Sequence, residues 1–150
     1  MTEIFDLEKT KFPDPLHDFY VSRIETAEDG KSVSFVFDDI YFYKDEVSEE
    51  YYEKHKAHTS CTVTAELKWA EADDIYCLLT DRKMGRINGE EIKLATLAAL
   101  VNSGETELEM LYSSQSFREY TMHFALHGKR AKRCWCDIEL PACKVIQEWE

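Results

Sequence analysis

Glycine and proline are scarce in this chain, and it contains no long apolar run. Its 150 residues include 5 glycines and 3 prolines, which excludes the collagen-like and low-complexity classes. No segment approaches the roughly 18 consecutive apolar residues of a membrane span. The N-terminal residues lack the basic and apolar segments of a secretory signal. We therefore expect a cytoplasmic globular protein.

Apolar residues are nevertheless numerous enough for a folded core. Hydrophobic residues make up 44% of the sequence, and aromatic residues make up 13%. A chain of this size and composition is typical of one domain, so residues 1–150 are predicted to fold as a single unit.

The charge is strongly negative and unevenly distributed. Residues 1–75 carry 19 acidic and 8 basic residues, a net charge of -11, whereas residues 76–150 carry 11 and 10. Such an acidic half repels phosphate backbones and anionic lipids, so neither nucleic acid nor membrane is expected as a partner. It attracts a basic protein instead. Taken by itself, the charge is favoured to do no more than keep the protein in solution.

Alternation with a period of two residues dominates the chain and predicts strands that are buried on one face. Asp29-Gly30 is a tight-turn signal that joins the first two strands into a hairpin. Pro141 is expected to interrupt the strand pairing near the C-terminus, because proline has no N–H group to donate. The predicted strands cover about eight segments: 18–26, 32–43, 60–69, 75–80, 105–112, 120–126, 134–140 and 145–149.

One segment has helical periodicity instead. Leu94, Leu97, Ala98 and Val101 recur at helical spacing, which predicts one main helix over about 91–102. The charged residues 44–57 are predicted to form a connection, with a short helical turn as the alternative. The fold class is therefore α+β and mainly β, an antiparallel sheet or a partly open barrel or sandwich.

Acidic residues lie beside aromatic residues in the second quarter of the chain, and together they form the candidate binding surface. Residues 40–43 are apolar at every position, which indicates either complete burial or an exposed interface. We expect a protein interface here, formed by Asp38, Asp39, Tyr41, Tyr43, Glu49, Glu50, Tyr51 and Tyr52.

Metal-binding patterns are weak. His55 and His58 could share a metal ion on a helix, but the neighbouring Lys54 and Lys56 would repel a cation, and a solvated loop is favoured. The adjacent pair His17-Asp18 is expected to open a strand rather than to bind metal. No metal or other cofactor is predicted.

The five cysteines are odd in number and irregular in spacing, which favours free thiols in a reducing compartment. Cys134 and Cys136 are expected on one side of a strand, without the two-residue spacer of a zinc knuckle. His123 falls on the opposite face of its own predicted strand, so it points away from them. Zinc bound by Cys134, Cys136, Cys143 and a histidine is therefore the third-ranked hypothesis.

A basic turn follows at residues 129–133. Lys129, Arg130, Lys132 and Arg133 form a patch that is short for a nucleic-acid site, and an exposed charged turn is favoured. Pairing with the acidic half, within the fold or in a symmetric homodimer, is the alternative. No serine, histidine or aspartate lies in a recognisable catalytic context, so the sequence predicts no catalytic residues.

Two segments of the chain carry a resemblance to a known group of proteins. They are the run with Leu16-His17-Asp18, Val21, Ile24, Asp29-Gly30, Val33, Phe35 and Phe37-Asp38, and the closing segment from Cys136 to Trp149. Both resemble small bacterial proteins similar to the immunity protein 50 group, which is associated with polymorphic toxin systems. The resemblance implies an α+β or mainly β fold without established catalytic residues. We therefore expect a non-enzymatic interaction module, such as a toxin-immunity protein. The alternative is a small-molecule-binding β domain with an aromatic pocket of several hundred Å3.

Overall fold

A computed structural model describes residues 1–9, 16–116, 118–128 and 133–150. Strands dominate this part of the chain, and the predicted mainly β, antiparallel α+β fold is confirmed. The strands are β1 (Thr2–Asp6), β2 (Tyr20–Thr26), β3 (Ser32–Phe37), β4 (Cys61–Leu67), β5 (Tyr76–Lys83), β6 (Arg86–Lys93), β7 (Glu107–Ser116), β8 (Glu119–His127) and β9 (Trp135–Trp149). The helices are α1 (Glu49–His55), α2 (Leu94–Asn102) and a 3-10 turn at Ala72–Asp74.

The strands form one antiparallel sheet that closes on itself. Their order is β4-β3-β2-β7-β8-β9-β5-β6, and β9 pairs in addition with β4 and β1. The first half of β9 pairs with β8 and β5, whereas its second half pairs with β4 and β1. Six strands, β2, β3, β4, β9, β8 and β7, therefore form a ring, and the β5–β6 hairpin branches from it.

Pro141 does not interrupt β9, contrary to the prediction. Its carbonyl accepts a hydrogen bond from the N–H of Lys68, 2.9 Å away. Within a strand, the N–H and C=O of one residue point to the same side. On that side the pairing with β5 ends at Ile138, and the pairing with β4 begins at Ala142. The missing N–H therefore lies where β9 changes partners, and no ladder hydrogen bond is lost.

Two further predictions fail at turns in the backbone. The second strand was expected to reach residue 43, but β3 ends at Phe37 and Asp39 has a φ of 56°. Trp69 was expected on the buried face of β4, but it follows the strand with a φ of 67° and is 62% exposed. A positive φ takes the chain out of the strand conformation, so the alternation no longer predicts which face a side chain occupies.

Other element boundaries also differ from expectation. β1 was not predicted. Residues 81–89 were expected to form a turn or a hairpin, and a hairpin is present, but its second strand β6 extends to Lys93, so that α2 begins at Leu94 rather than near residue 91. β7 continues to Ser116, beyond the predicted end at residue 112. Every residue of β6 except Ile92 is exposed, so this strand has no apolar alternation to reveal it.

The core fills the interior of the ring and the space beneath α2. Phe35 and Phe124 stack across the interior with ring centroids 6.3 Å apart, and both side chains are fully buried. α2 packs its buried residues Leu94, Leu97 and Val101 towards β2. Neither α1 nor α2, nor the 3-10 turn of the described chain, is long and apolar enough to cross a bilayer.

Asn102 fastens the end of α2 to β2. Its side-chain amide donates to the carbonyl of Ile24 (2.9 Å), and its oxygen accepts from the Ile24 N–H (2.8 Å). We expect Asn102→Ala to lower the free energy of unfolding by about 1–3 kcal/mol, because both backbone groups of Ile24 lose their partner. Urea unfolding measures this change. Thr96→Ala, at an exposed position of the same helix, is the control and should not destabilise the protein.

Candidate functional site

Residues 38–60 form one excursion between β3 and β4, which we call the cover segment. It leaves and re-enters the ring at the end where β9 finishes. The N–H of Ile40 donates to the carbonyl of Thr59 (3.0 Å), and the N–H groups of Thr59 and Ser60 donate to the carbonyl of Glu150 (2.7 and 3.0 Å). These bonds fasten the base of the cover segment to the C-terminus. All eight predicted interface residues lie within it.

Six exposed carboxylates line the cover segment, and we call them the acidic surface. None of them takes part in an ion pair with another described residue, although Asp38 accepts a hydrogen bond from the hydroxyl of Ser22 (2.7 Å). By contrast, Glu53 pairs with Lys56 in the same segment. The six residues are Asp38, Asp39, Asp45, Glu46, Glu49 and Glu50. Four of them were predicted from the sequence; Asp45 and Glu46 were not.

Tyr41 and Tyr43 are exposed beside these carboxylates, at 59% and 54%. Their rings meet edge to face with centroids 5.2 Å apart, and Tyr41 also contacts Phe19 at 5.5 Å. Ile40 is buried and Phe42 is half-buried. The apolar run 40–43 is therefore neither wholly buried nor wholly exposed, because two of its side chains enter the core and two face solvent.

A small cavity adjoins these rings. Its volume is about 130 Å3, and it is lined by His17, Asp18, Phe19, Tyr41, Phe42, Tyr43, Glu46 and Val47. The His17 and Asp18 side chains bond to each other at 3.0 Å, in a turn that precedes β2 rather than in the strand itself. A larger concavity of about 430 Å3 lies between β2 and the residues after α2, and Tyr20 is its one aromatic residue.

Tyr51 and Tyr52 differ from the other predicted interface residues, because both are half-buried. The hydroxyl of Tyr51 is buried and has no hydrogen-bond partner among the described residues. Its ring packs against Phe42 at 5.5 Å and against His55 at 4.3 Å. Burial, together with the charge of Glu3, raises the pKa of Tyr51 well above its ordinary value. Tyr51 therefore belongs to the core and does not present its hydroxyl to a partner.

His55 is fully buried on α1, so the expectation of a solvated loop is wrong. Its ring lies 4.1 Å from that of Trp149, and its Nδ1 is 3.4 Å from the Nδ1 of His58. Within the described ranges its Nε2 has no hydrogen-bond partner. This nitrogen lies 3.6 Å from the Glu3 carboxylate, which accepts a hydrogen bond from the Trp149 indole (3.1 Å). The spacing of Tyr51 and His55, four residues apart after the N-cap Ser48, is the helical signal that could have indicated this burial.

The burial of His55 controls its protonation. Loss of solvent lowers the pKa of the imidazole to about 4, although the nearby Glu3 carboxylate acts in the opposite direction. His55 is therefore neutral near neutral pH. Its ring packs against those of Tyr51 and Trp149, so the imidazole forms part of the core. Among the described residues, no group of three or more histidine, cysteine or acidic side chains could hold a metal ion.

The positions of Cys134 and Cys136 agree only in part with the prediction that both lie on one side of a strand. Cys136 is buried in β9, and its hydrogen bond with the Cys77 thiol raises its pKa. Cys134, however, precedes the strand and is exposed. His123 lies on the other face of the sheet, where its Nδ1 bonds to the carboxylate of Asp137. The prediction that His123 points away from Cys136 is confirmed.

The basic turn is only partly described. Lys129, Arg130 and Lys132 lie outside the described residues. Arg133 is described, and its guanidinium lies 3.1 Å from Asp81 and 3.8 Å from Glu90. Arg133 is thus held within the C-terminal half of the chain, and its described contacts do not involve the acidic surface.

Comparison with known proteins identifies no relative. No family model, no curated protein and no solved structure matches the chain. The resemblance to the immunity protein 50 group therefore stays a prediction.

We expect His55 to make the stability of the protein dependent on pH. The unfolded chain takes up a proton on this imidazole near pH 6.5, whereas the folded chain does so near pH 4. Acidification through this interval therefore favours unfolding, by roughly 2–3 kcal/mol in total. In His55→Phe this contribution should disappear, so that its free energy of unfolding falls less between pH 7 and pH 4. Chemical unfolding at several pH values measures the difference. The control is His17→Phe, at an exposed histidine, whose free energy of unfolding should fall between pH 7 and pH 4 as much as that of the wild type.

Proposed function

We propose that this protein is a non-enzymatic interaction module that binds a basic protein through the cover segment. The supporting observation is the acidic surface, whose six exposed carboxylates have no ion pair within the described chain. Lysine and arginine side chains of a partner could pair with these carboxylates without displacing internal salt bridges. Complementary charge of this kind steers encounter and selects the partner.

Tyr41 and Tyr43 supply the apolar part of the proposed interface. Tyrosine is enriched among residues that contribute most to protein–protein binding, because its ring buries a large area at small entropic cost. Both rings are exposed here and already pack edge to face, so little ordering is needed when a partner covers them. Charged groups around a central aromatic pair match the usual arrangement of a polar rim and an apolar centre.

A toxin-immunity role is the specific form of this proposal. A nuclease toxin must attract phosphate, so its active site is basic, and an acidic protein can cover it. This form rests on the resemblance to the immunity protein 50 group and implies a cytoplasmic location in a bacterial cell. The partner would be a basic protein encoded near this chain.

The cavity beside Tyr41 favours a second candidate, a small-molecule site. Four aromatic rings line it, as expected for the aromatic-pocket alternative. Its volume of about 130 Å3 is below the roughly 300–1,000 Å3 typical of ligand pockets. We therefore rank this candidate second.

The decisive experiment measures binding to the purified product of a neighbouring toxin gene, made catalytically inactive. We expect the double variant Asp45→Lys with Glu46→Lys to weaken the complex about 100-fold or more and to slow association, because it replaces attraction by repulsion. Tyr43→Ala should mainly accelerate dissociation, because it removes apolar contact. Calorimetry and stopped-flow kinetics give both quantities.

The matched control carries the same charge change at the opposite end of β3. Glu28→Lys with Asp73→Lys alters two exposed carboxylates near the β2–β3 turn and should leave the affinity within a few-fold of the wild type. Equal losses in both double variants would show that only overall charge matters. A complex that survives Asp45→Lys with Glu46→Lys would place the interface elsewhere.

A further inference from the structure

β6 is an edge strand of the sheet, and it is open to solvent. It pairs with β5 on one side and stands at the end of the strand order. Seven of its eight residues are exposed, with Ile87 at 72%. The described part of the chain places no strand or helix along its free edge. Such an edge presents unpaired N–H and C=O groups in a row, which is a template for adding another strand.

The hydrogen bonding of the hairpin identifies the free backbone groups. The N–H of Leu94 donates to the carbonyl of Ile75 (3.0 Å), so the even-numbered residues of β6 point their backbone groups towards β5. The odd-numbered residues, Ile87, Gly89, Glu91 and Lys93, therefore point theirs outwards. Among the described residues, no hydrogen bond uses the outward groups of Ile87, Gly89 and Glu91, whereas Lys93 is the N-cap of α2 and its carbonyl belongs to that helix.

We infer that the occupant of this edge is a second copy of the chain, paired antiparallel through β6 about a two-fold axis. In such a pair, a residue whose backbone N–H and C=O point outwards must lie opposite a residue of the same kind in the partner. This condition leaves few registers. In the register that we propose, Ile87 faces the partner's Gly89. Arg86 then faces the partner's Glu90, and Asn88 faces its own copy on the axis. The inference does not depend on the acidic surface, which lies on a different part of the chain.

Charge complementarity selects this register. The two-fold axis generates two Arg86–Glu90 pairs across the edge, at positions where side chains approach closely. Glu90 also lies 3.8 Å from the Arg133 guanidinium of its own chain, and because its side chain is 48% exposed it would lie between Arg133 and the partner's Arg86. Moving the partner by two residues in either direction would place Arg86 opposite Ile92 or Asn88 and would remove both pairs. Of these three registers, the proposed one alone places opposite charges of β6 across from each other.

Shape supports the same register. A Cβ atom at Gly89 would lie 3.5 Å from the Leu78 and Thr80 side chains. Because glycine has no side chain, Leu78 and Thr80 are left uncovered at this point. Leu78 is 40% exposed on this face. The partner's Ile87 would lie opposite Gly89 and cover part of this apolar surface. Met84, in the hairpin turn before β6, is fully exposed as well.

Sedimentation equilibrium of the full chain tests the proposal. We expect the wild type to dimerise reversibly at high micromolar concentration, less strongly as salt is added. Arg86→Glu and Glu90→Arg should each raise the dimer dissociation constant about tenfold or more, because like charges then face each other twice. The combination of both changes in one chain should restore dimerisation. An equimolar mixture of the two single variants should form a heterodimer, because each supplies the charge that the other lacks.

Arg82→Glu is the control, since it makes the same charge change at an exposed position on β5, away from the free edge. It should dimerise like the wild type. A wild type that stays monomeric at millimolar concentration would overturn the inference. Dimerisation that persists in both single variants, or that the combined variant and the mixture fail to restore, would overturn it as well.

Discussion

The closure of the sheet by β9 is the constraint on which the rest of the structure depends. This strand spans Trp135–Trp149 and pairs with β8 and β5 in its first half and with β4 and β1 in its second. Closure leaves the ring strands paired on both sides and creates one interior for the aromatic core. Without the second half of β9, β4 would be an edge strand and the interior would open to water.

The end of β9 also organises the cover segment. Trp149 contacts His55, Tyr51 and Phe42, and the last backbone groups of the chain bond to Thr59 and Ser60. The cover segment is thus bonded at its base and packed against the core along one side, so its other side faces solvent. The acidic surface lies on that side, and the burial of a neutral His55 makes this arrangement less stable as the pH falls from 6.5 towards 4.

Two surfaces remain available after the core is formed, and they differ in chemistry. The cover segment is acidic and carries exposed tyrosines, which suits a partner of opposite charge. The edge of β6 carries both charges in an order that suits its own copy. Because β6 belongs to the hairpin that branches from the ring, a partner at one surface does not use the residues of the other.

Much of the candidate surface was predictable from residue order, because acidic residues and alternating strands leave a local signature. Asp38, Asp39, Glu49 and Glu50 are exposed as expected, since charged side chains without partners stay in water. The packing of Tyr51 was not predictable in this way. Its burial depends on Trp149, which is distant in sequence and reaches α1 only when the ring closes.

The sequence by itself determined where most strands lie, because one buried face imposes a period of two on the side chains, as in Val33, Phe35 and Phe37. Tertiary structure alone decided how those strands continue and what covers them. β9 passes Pro141 because its partner changes there, and His55 is buried because Trp149 lies beneath it. β6 forms a strand with scarcely any apolar pattern because β5 supplies its hydrogen bonds. Local periodicity records which side of an element is buried, but not which distant element buries it.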